Sequence, residues 1–341
     1  MAKVGINGLG RIGRATLKII LDTPQLDLVA INDIVPADNL AYLLKYDTVY
    51  GRFDKTVTVE DGDLVIDGKH YKMLNEKDPA DLPWDELGVE IVLECSGMFT
   101  RREEMAKHLE AGAKRVLLSA PSKSQDVTTI VHGVNTEAGE GAQLVSCASC
   151  TTNAITPVVE VMKRRVGVKK AIMTTVHAYT SSQEIVDAPS KSVRRGRAGA
   201  ANFVPTSTGA AIATTKTLPE LEGLFDGVAV RGPVPCGSIA DIIFVTERET
   251  SVDEVNNIFC EEAETDRYRG ILEVTDDPWV SSDIIGDPRA SVVDLEMTQV
   301  VDGDLVKVMS WYDNEWGYAA QLVRQTVEVA EELQQEPARE R

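Results

Sequence analysis

Along the first half of the chain, short apolar runs alternate with stretches whose apolar residues recur at helical spacing. Lys3 to Asn7 reads as a strand, Arg11 to Leu21 as a helix with Ile12, Ala15, Ile19 and Ile20 on one face, and Leu26 to Asn32 as a second strand. Further strand-length runs follow at Val89 to Cys95, Arg115 to Ser119 and Thr128 to Val131. They show no strict alternation of apolar and polar positions, which suits a parallel sheet covered on both faces. The second half changes character. Ala171 to His177, Gly227 to Val234, Ile239 to Arg248 and Leu305 to Tyr312 are longer and rich in Val, Ile and Thr, predicting a mixed or antiparallel sheet. Ser181 to Pro205 has no period, and a loop of that length is usually functional. Ala319 to Leu333 returns to helical spacing and predicts an amphipathic helix, followed by a polar, acidic tail expected to fray.

Composition narrows the function classes. With 341 residues, 43% hydrophobic and 26% charged, the chain can bury large cores in roughly two domains. Acidic residues number 54 against 35 basic, so the surplus is 54 − 35 = 19, and only Lys307 follows Lys216 among the lysines. Such a surface repels phosphate backbones and anionic lipid, which argues against nucleic acid and membrane as partners. The surplus also predicts adaptation to molar salt, where a Debye length of about 3 Å screens carboxylate repulsion. Cys95, Cys147, Cys150, Cys236 and Cys260 are too few and odd in number for a disulfide framework. Cys147 and Cys150 form one lone CxxC with no second ligand pair, so no metal site is indicated. Neither a leader peptide nor an apolar run of 18 is evident, and a soluble, cytoplasmic protein is expected.

Two constellations carry candidate chemistry. Gly8-Leu9-Gly10-Arg11-Ile12-Gly13 is a GxGxxG between the first strand and helix, the context of a dinucleotide fingerprint. Gly8 allows the tight turn, Gly10 the approach of a pyrophosphate, and Gly13 the packing of helix on strand. Asp33, 20 residues after Gly13, ends the second strand where a carboxylate binds ribose hydroxyls, and its charge opposes a 2′-phosphate. The expected fold class is therefore α/β, a Rossmann-type doubly wound NAD(P)-binding domain plus an α+β second domain with a mixed or antiparallel sheet. The second constellation is Ser146 to Ala154, where a strand (Gln143 to Ser146) turns into a helix (Thr151 to Arg164) at Cys150. A thiol at a helix N-terminus meets the positive end of the dipole, which favours thiolate. Taken alone, such a cysteine is more often a small buried apolar side chain. Of four histidines, His177 ends an uncharged strand, whereas His108 in a charged helix and His70 in a polar turn read as surface residues.

INGLGRIGR near the start, ASCTTN around Cys150, TTVHAYT around His177, RRGRAGAANFVPTSTGAA from Arg194, RGPVP from Arg231 and WYDNEWGY from Trp311 together resemble phosphorylating glyceraldehyde-3-phosphate dehydrogenase. The resemblance covers nearly the whole chain. It implies that Cys150 is the nucleophile that forms a thiohemiacetal with the aldehyde and then a thioester, and that His177 is the base. Thr180 and Arg231 match positions that hold the substrate's phosphate, and Ser149, Thr151, Thr208 and Gly209 match the pocket of the attacking inorganic phosphate. By sequence alone, Thr206 to Gly209 reads equally as a polar turn capping a helix. Cofactor positions implied are Gly8, Gly10, Arg11, Ile12, Gly13, Asp33, Lys77, Ser119 and Asn314, the last at the nicotinamide carboxamide.

The implied organisation is a dinucleotide-binding domain over 1–149, a catalytic domain over 150–315 with an S-shaped loop near 181–205, and a terminal helix over 316–341 packing back on the first domain. The implied partners are glyceraldehyde 3-phosphate, inorganic phosphate and further copies of the chain in a D2 homotetramer. Three departures bear on the details. Ser182 replaces the acidic residue common two positions after HAYT. Ala188-Pro189 replaces the Leu-Pro of NAD-preferring members, and Lys77 replaces an Arg near the adenine. NAD is the expected cofactor, with NADP use allowed by the second departure. Two other readings stand beside this one: erythrose-4-phosphate dehydrogenase-like oxidation, in which hydrolysis replaces phosphate attack, and a non-catalytic dinucleotide-sensing protein.

Overall fold

The computed structural model describes residues 1–335. The tail expected to fray lies outside the described residues. Contacts divide the chain into two compact units, Met1–Ala148 together with the chain from Leu322 onward, and Ser149–Gln321.

The first unit is built on a nine-stranded sheet. Its order is Thr128–Thr129, Leu144–Ser146, Arg115–Leu118, Ile91–Glu94, Ala2–Asn7, Leu26–Asn32, Lys69–Leu74, Asp63–Ile66 and Val57–Glu60. The first seven run parallel, and the last two are added antiparallel. Ile91–Glu94 and Arg115–Leu118 are buried at every position, as continuous apolar runs in a parallel sheet must be. Ala2–Asn7 lies between Leu26–Asn32 and Ile91–Glu94, so the connection after it opens at the point where strand order reverses. Doubly wound sheets bind ligands at that point. The helix Trp316–Gln335 is longer than the periodicity predicted, and its Leu322, Val323, Val329 and Ala330 join the core of this unit.

The second unit carries a seven-stranded mixed sheet. Its order is Val204–Ser207, Phe225–Gly232, Val168–Ala178, Ser238–Thr246, Leu305–Tyr312, Ser291–Val301 and Leu272–Thr275. Val168–Ala178 pairs parallel with Phe225–Gly232 and antiparallel with Ser238–Thr246. Burial alternates strictly along Ser238–Thr246, so one face is fully covered and the other half-buried. The helix Cys150–Arg165 packs against this sheet. Within Ser181 to Pro205 only two short 3-10 turns, Val193–Gly196 and Gly199–Ala201, precede the strand that begins at Val204.

Two histidine expectations need correction. His108 is fully buried, because its helix, Arg102–Glu110, turns that side chain inward on the same face as the buried Met105, although most other positions of the helix are charged. The Trp84 indole N–H donates to His108 Nδ1 at 3.0 Å, so Nε2–H donates to the buried Glu94 at 3.1 Å. Glu94 also accepts from Asn7 Nδ2, at 2.5 Å, and from the backbone N–H of Ser96, at 2.8 Å. A charged-looking helix thus supplies a core hydrogen-bond partner at the carboxyl end of the sheet. His70 is exposed, as expected, but lies in the strand Lys69–Leu74 rather than in the preceding turn.

Candidate active site

In the first unit, the glycine-rich turn leaves the strand Ala2–Asn7. Gly8 has φ +95°, and a Cβ there would meet the backbone of Ser96 and Cys95. A Cβ on Gly13 would run into the carbonyl of Gly8, whereas the space over Gly10 is open. Two glycines therefore close the turn against the sheet, and the third leaves room for a ligand at the N-terminus of Arg11–Leu21. That helix has no side-chain cap, and its peptide N–H groups and dipole suit an anion.

The adjoining cleft measures about 420 Å³ and is lined by Gly8, Gly10, Asp33, Ile34, Lys77 and Met98, among others. Asp33 is fixed there by two peptide N–H groups, Leu9 donating to Oδ2 at 2.7 Å and Val35 to Oδ1 at 2.9 Å. An anchored carboxylate with apolar Ile34 and Met98 exposed nearby fits an adenosine, with ribose hydroxyls as donors and a ring for the apolar surface. Arg11 is placed differently from a phosphate-binding side chain: its guanidinium pairs with Asp47 and lies over the Tyr50 ring. Ser119 donates from its backbone to the Glu94 carbonyl at 2.9 Å, at the carboxyl end of Arg115–Leu118.

In the second unit, Cys150 is the first residue of Cys150–Arg165, one residue earlier than the predicted helix start. Ser149 caps it, its Oγ accepting from the Thr152 N–H at 3.1 Å. Ala148 precedes the cap with φ +56°, a conformation that a residue with a Cβ rarely adopts and that turns the chain sharply from strand to helix. His177 and Arg231 are register partners on parallel strands, so both project at one end of the sheet. The Cys150 Sγ lies 3.3 Å from His177 Nε2. On the other side of the ring, Nδ1 lies 2.7 Å from the Ala178 carbonyl and 2.5 Å from Arg231 Nη1, which itself donates to that carbonyl at 3.0 Å. Burial and the Arg231 charge depress the imidazole pKa to about 3. Burial pushes the Cys150 thiol up, against the opposing pull of the Arg231 cation and of hydrogen bonds from Thr151.

Tyr312 was not singled out by sequence reasoning, although it stands inside the WYDNEWGY segment. Its hydroxyl lies 2.9 Å from Thr151 Oγ1 and 2.7 Å from Thr175 Oγ1, and its ring meets His177 edge-on at 5.9 Å. Only the pairing of Leu305–Tyr312 with Ser238–Thr246 carries Tyr312 to the same end of the sheet. Thr180 and Ser182 share a hydrogen bond of 2.8 Å, so the serine that replaces an acidic residue engages the hydroxyl it would otherwise leave to a carboxylate. At Thr208-Gly209 the backbone follows the capping alternative in part. Gly209 is the cap of Ala210–Thr217, and Thr208 Oγ1 accepts from the Ala210 N–H at 3.2 Å. Nothing stands within 4 Å of a Cβ placed on Gly209, so that helix start is open to a small anion. Asn314 is buried, with Oδ1 accepting from the Ser238 hydroxyl at 2.9 Å. Among the described residues no group of three or more His, Cys, Asp or Glu could hold a metal ion.

Both halves of the chain are similar to known proteins. Residues 2–102 match the family model described as glyceraldehyde 3-phosphate dehydrogenase, NAD binding domain, and residues 149–314 match that of the C-terminal domain. A glyceraldehyde-3-phosphate dehydrogenase of Streptomyces coelicolor is 47% identical over 97% of this chain and 99% of its own length. That of Geobacillus stearothermophilus is 47% identical over 94% of this chain and 96% of its own, and that of Clostridium pasteurianum 46% over 95% and 97%.

Proposed function

Because the chain belongs to the glyceraldehyde-3-phosphate dehydrogenase family, we propose that it oxidises D-glyceraldehyde 3-phosphate to 1,3-bisphosphoglycerate with inorganic phosphate and NAD, reversibly, in glycolysis and gluconeogenesis. The observation that carries the mechanism is the 3.3 Å contact between Cys150 Sγ and His177 Nε2 at the start of a 16-residue helix.

Nδ1 can accept from the Arg231 guanidinium or donate its own N–H to the Ala178 carbonyl; in the second tautomer, with the guanidinium turned to the substrate's phosphate, the Nε2 lone pair faces the thiol and takes its proton. The sulfur then adds to the aldehyde carbon, forming a C–S bond while the carbonyl oxygen gains a proton as a thiohemiacetal hydroxyl. NAD held by the glycine-rich turn, Asp33 and Asn314 would supply the hydride acceptor that thioester formation requires. His177 takes the hydroxyl proton in that step and then loses it, so one imidazole serves both proton transfers. An oxygen of inorganic phosphate next attacks the thioester carbonyl, the C–S bond breaks, and Cys150 leaves as thiolate with the acyl phosphate as product. Arg231 suits the substrate's own phosphate, since a guanidinium binds phosphate bidentately and this one is partly held in the site by Ala178. Ser149, Thr151, Thr208 and Gly209 are assigned to the attacking phosphate. Asp33, Lys77, Ser119, Asn314 and the glycine-rich turn are assigned to NAD.

Residues 1–149 are assigned as the dinucleotide-binding domain, with the helix from 316 packing back on it, and 150–315 as the catalytic domain. Self-association has its own support. Ile172, Val176 and Val228 stand exposed on one face of the second unit's sheet, and Ile185, Val193 and Phe203 are exposed in the 181–205 loop. Contiguous exposed apolar surface of this kind is normally covered by a partner, here a second copy in a D2 homotetramer. No helix among the described residues is long and apolar enough to cross a membrane, and a cytoplasmic location is proposed from the glycolytic role. The test is NADH formation from glyceraldehyde 3-phosphate with and without phosphate or arsenate. Dependence on either supports the phosphorylating reaction, and sustained turnover without them points to the hydrolytic, erythrose-4-phosphate dehydrogenase-like one.

A further inference from the structure

We infer that Ser238 is a positioning residue that sets which end of the Asn314 amide faces the nicotinamide, and that the backbone of Ala178 links this setting to the catalytic base. The inference rests on the assignment of Asn314 to the nicotinamide carboxamide.

Ser238 is the first residue of Ser238–Thr246 and is almost completely buried, as is Asn314. Its hydroxyl has one proton and accepts from the Ala178 N–H at 3.1 Å. That peptide N–H can only donate, so the serine proton is left for Asn314 Oδ1, 2.9 Å away. With Oδ1 occupied, Asn314 presents its NH₂ as the group able to meet a ligand, and an NH₂ selects a carbonyl oxygen. A nicotinamide carboxamide has such an oxygen on one side and its own NH₂ on the other, so the donor end of Asn314 accepts one ring orientation and opposes the flipped one.

The next peptide group, on the other side of Ala178, holds the base. The carbonyl of Ala178 lies 2.7 Å from His177 Nδ1, which fixes the ring whose Nε2 faces Cys150. Ala178 thus holds the donor that directs the cofactor ring and the acceptor that directs the base, one on each side of a single residue. Gly237, immediately before Ser238, has φ +88°, and a Cβ there would run into the Ser281 carbonyl, so the chain entering Ser238 has little freedom to relocate the hydroxyl.

The experiment is a double-mutant cycle on the full-length enzyme with Ser238→Ala, Asn314→Ala and both, reading three quantities. These are kcat, the Kd of NAD, and the Kd of ADP-ribose, which lacks the nicotinamide. Loss of one directed hydrogen bond predicts that Ser238→Ala weakens NAD roughly three- to tenfold and lowers kcat by more, with ADP-ribose binding unchanged. In the Asn314→Ala background, Ser238→Ala should add almost nothing. Equal weakening of NAD and ADP-ribose, or a Ser238→Ala loss that persists in full beside Asn314→Ala, overturns the inference. A separate result tests the underlying assignment. If Asn314→Ala alone leaves both kcat and the preference for NAD over ADP-ribose unchanged, Asn314 does not meet the carboxamide and the inference falls with it.

Discussion

Arg231 Nη1 lies 2.5 Å from His177 Nδ1, on the face of the imidazole opposite the Cys150 thiol. Burial disfavours a charged ring, and a permanent cation against Nδ1 adds to the effect, so the resting base is neutral imidazole. The same cation is the largest influence drawing the buried thiol toward ionisation. One arginine therefore keeps the base unprotonated and the nucleophile closer to its reactive form.

The thiol is consequently expected to react as a group raised above its ordinary range. Alkylation of Cys150 by iodoacetamide, a neutral probe, should accelerate as pH rises through the alkaline range rather than level off near neutrality. Arg231→Gln removes the cation that opposes burial, and should move the profile to still higher pH and slow alkylation at pH 7. A profile unchanged by Arg231→Gln would show that the guanidinium does not act on the sulfur.

His177 carries a stability consequence with a definite sign. Its folded pKa, about 3, lies below the ordinary value of 6.5, so the unfolded chain binds the additional proton between those values and the folded one does not. Stability from this group is fully present above pH 6.5 and falls as pH drops toward 3. The Tm of the native enzyme should fall more steeply between pH 7 and pH 5 than that of His177→Gln. Parallel slopes in the two proteins would contradict the depressed pKa.

Asp33 should govern cofactor choice. Its carboxylate is anchored by the Leu9 and Val35 N–H groups and opposes a 2′-phosphate. Asp33→Ser should lower kcat/KM for NAD by about tenfold and improve NADP relative to NAD, measured side by side at one salt concentration. An unaltered ratio would place the ribose elsewhere.

The acidic surplus concerns the surface more than the chemistry. The formal charge is −19, yet the candidate anion sites rest on Arg231 and on helix N-termini. In dilute buffer, where carboxylate repulsion is unscreened, light scattering should show subunits dissociating, and molar salt should restore the oligomer and the activity together. A full-mass, fully active enzyme after dialysis into low salt would end this reading of the charge.

Much of the fold was legible because its signals are local. Arg11–Leu21 and Leu26–Asn32 have the bounds that the apolar periodicity gives, and the glycine-rich turn announces the crevice it forms. The Cys150 neighbourhood was legible as strand, small-residue turn and helix, while the role of the cysteine came from resemblance. What stayed hidden depends on non-local pairing. His108 has charged neighbours in sequence, but helix geometry turns it onto Trp84 and Glu94. Tyr312 reaches Thr151, 161 positions away, only through strand register. Ser238 sits in a small-residue stretch with no motif of its own, and its place becomes visible only when Ala178 and Asn314 are seen to share its hydroxyl.

The most direct test of covalent catalysis at Cys150 is a rapid-mixing measurement of NADH absorbance, with enzyme, NAD and glyceraldehyde 3-phosphate, first without phosphate and then with it. A thioester on Cys150 predicts a burst approaching one NADH per subunit that stalls, resumes on addition of phosphate, and is absent in Cys150→Ser. Steady turnover without phosphate, or a burst that survives Cys150→Ser, would contradict it.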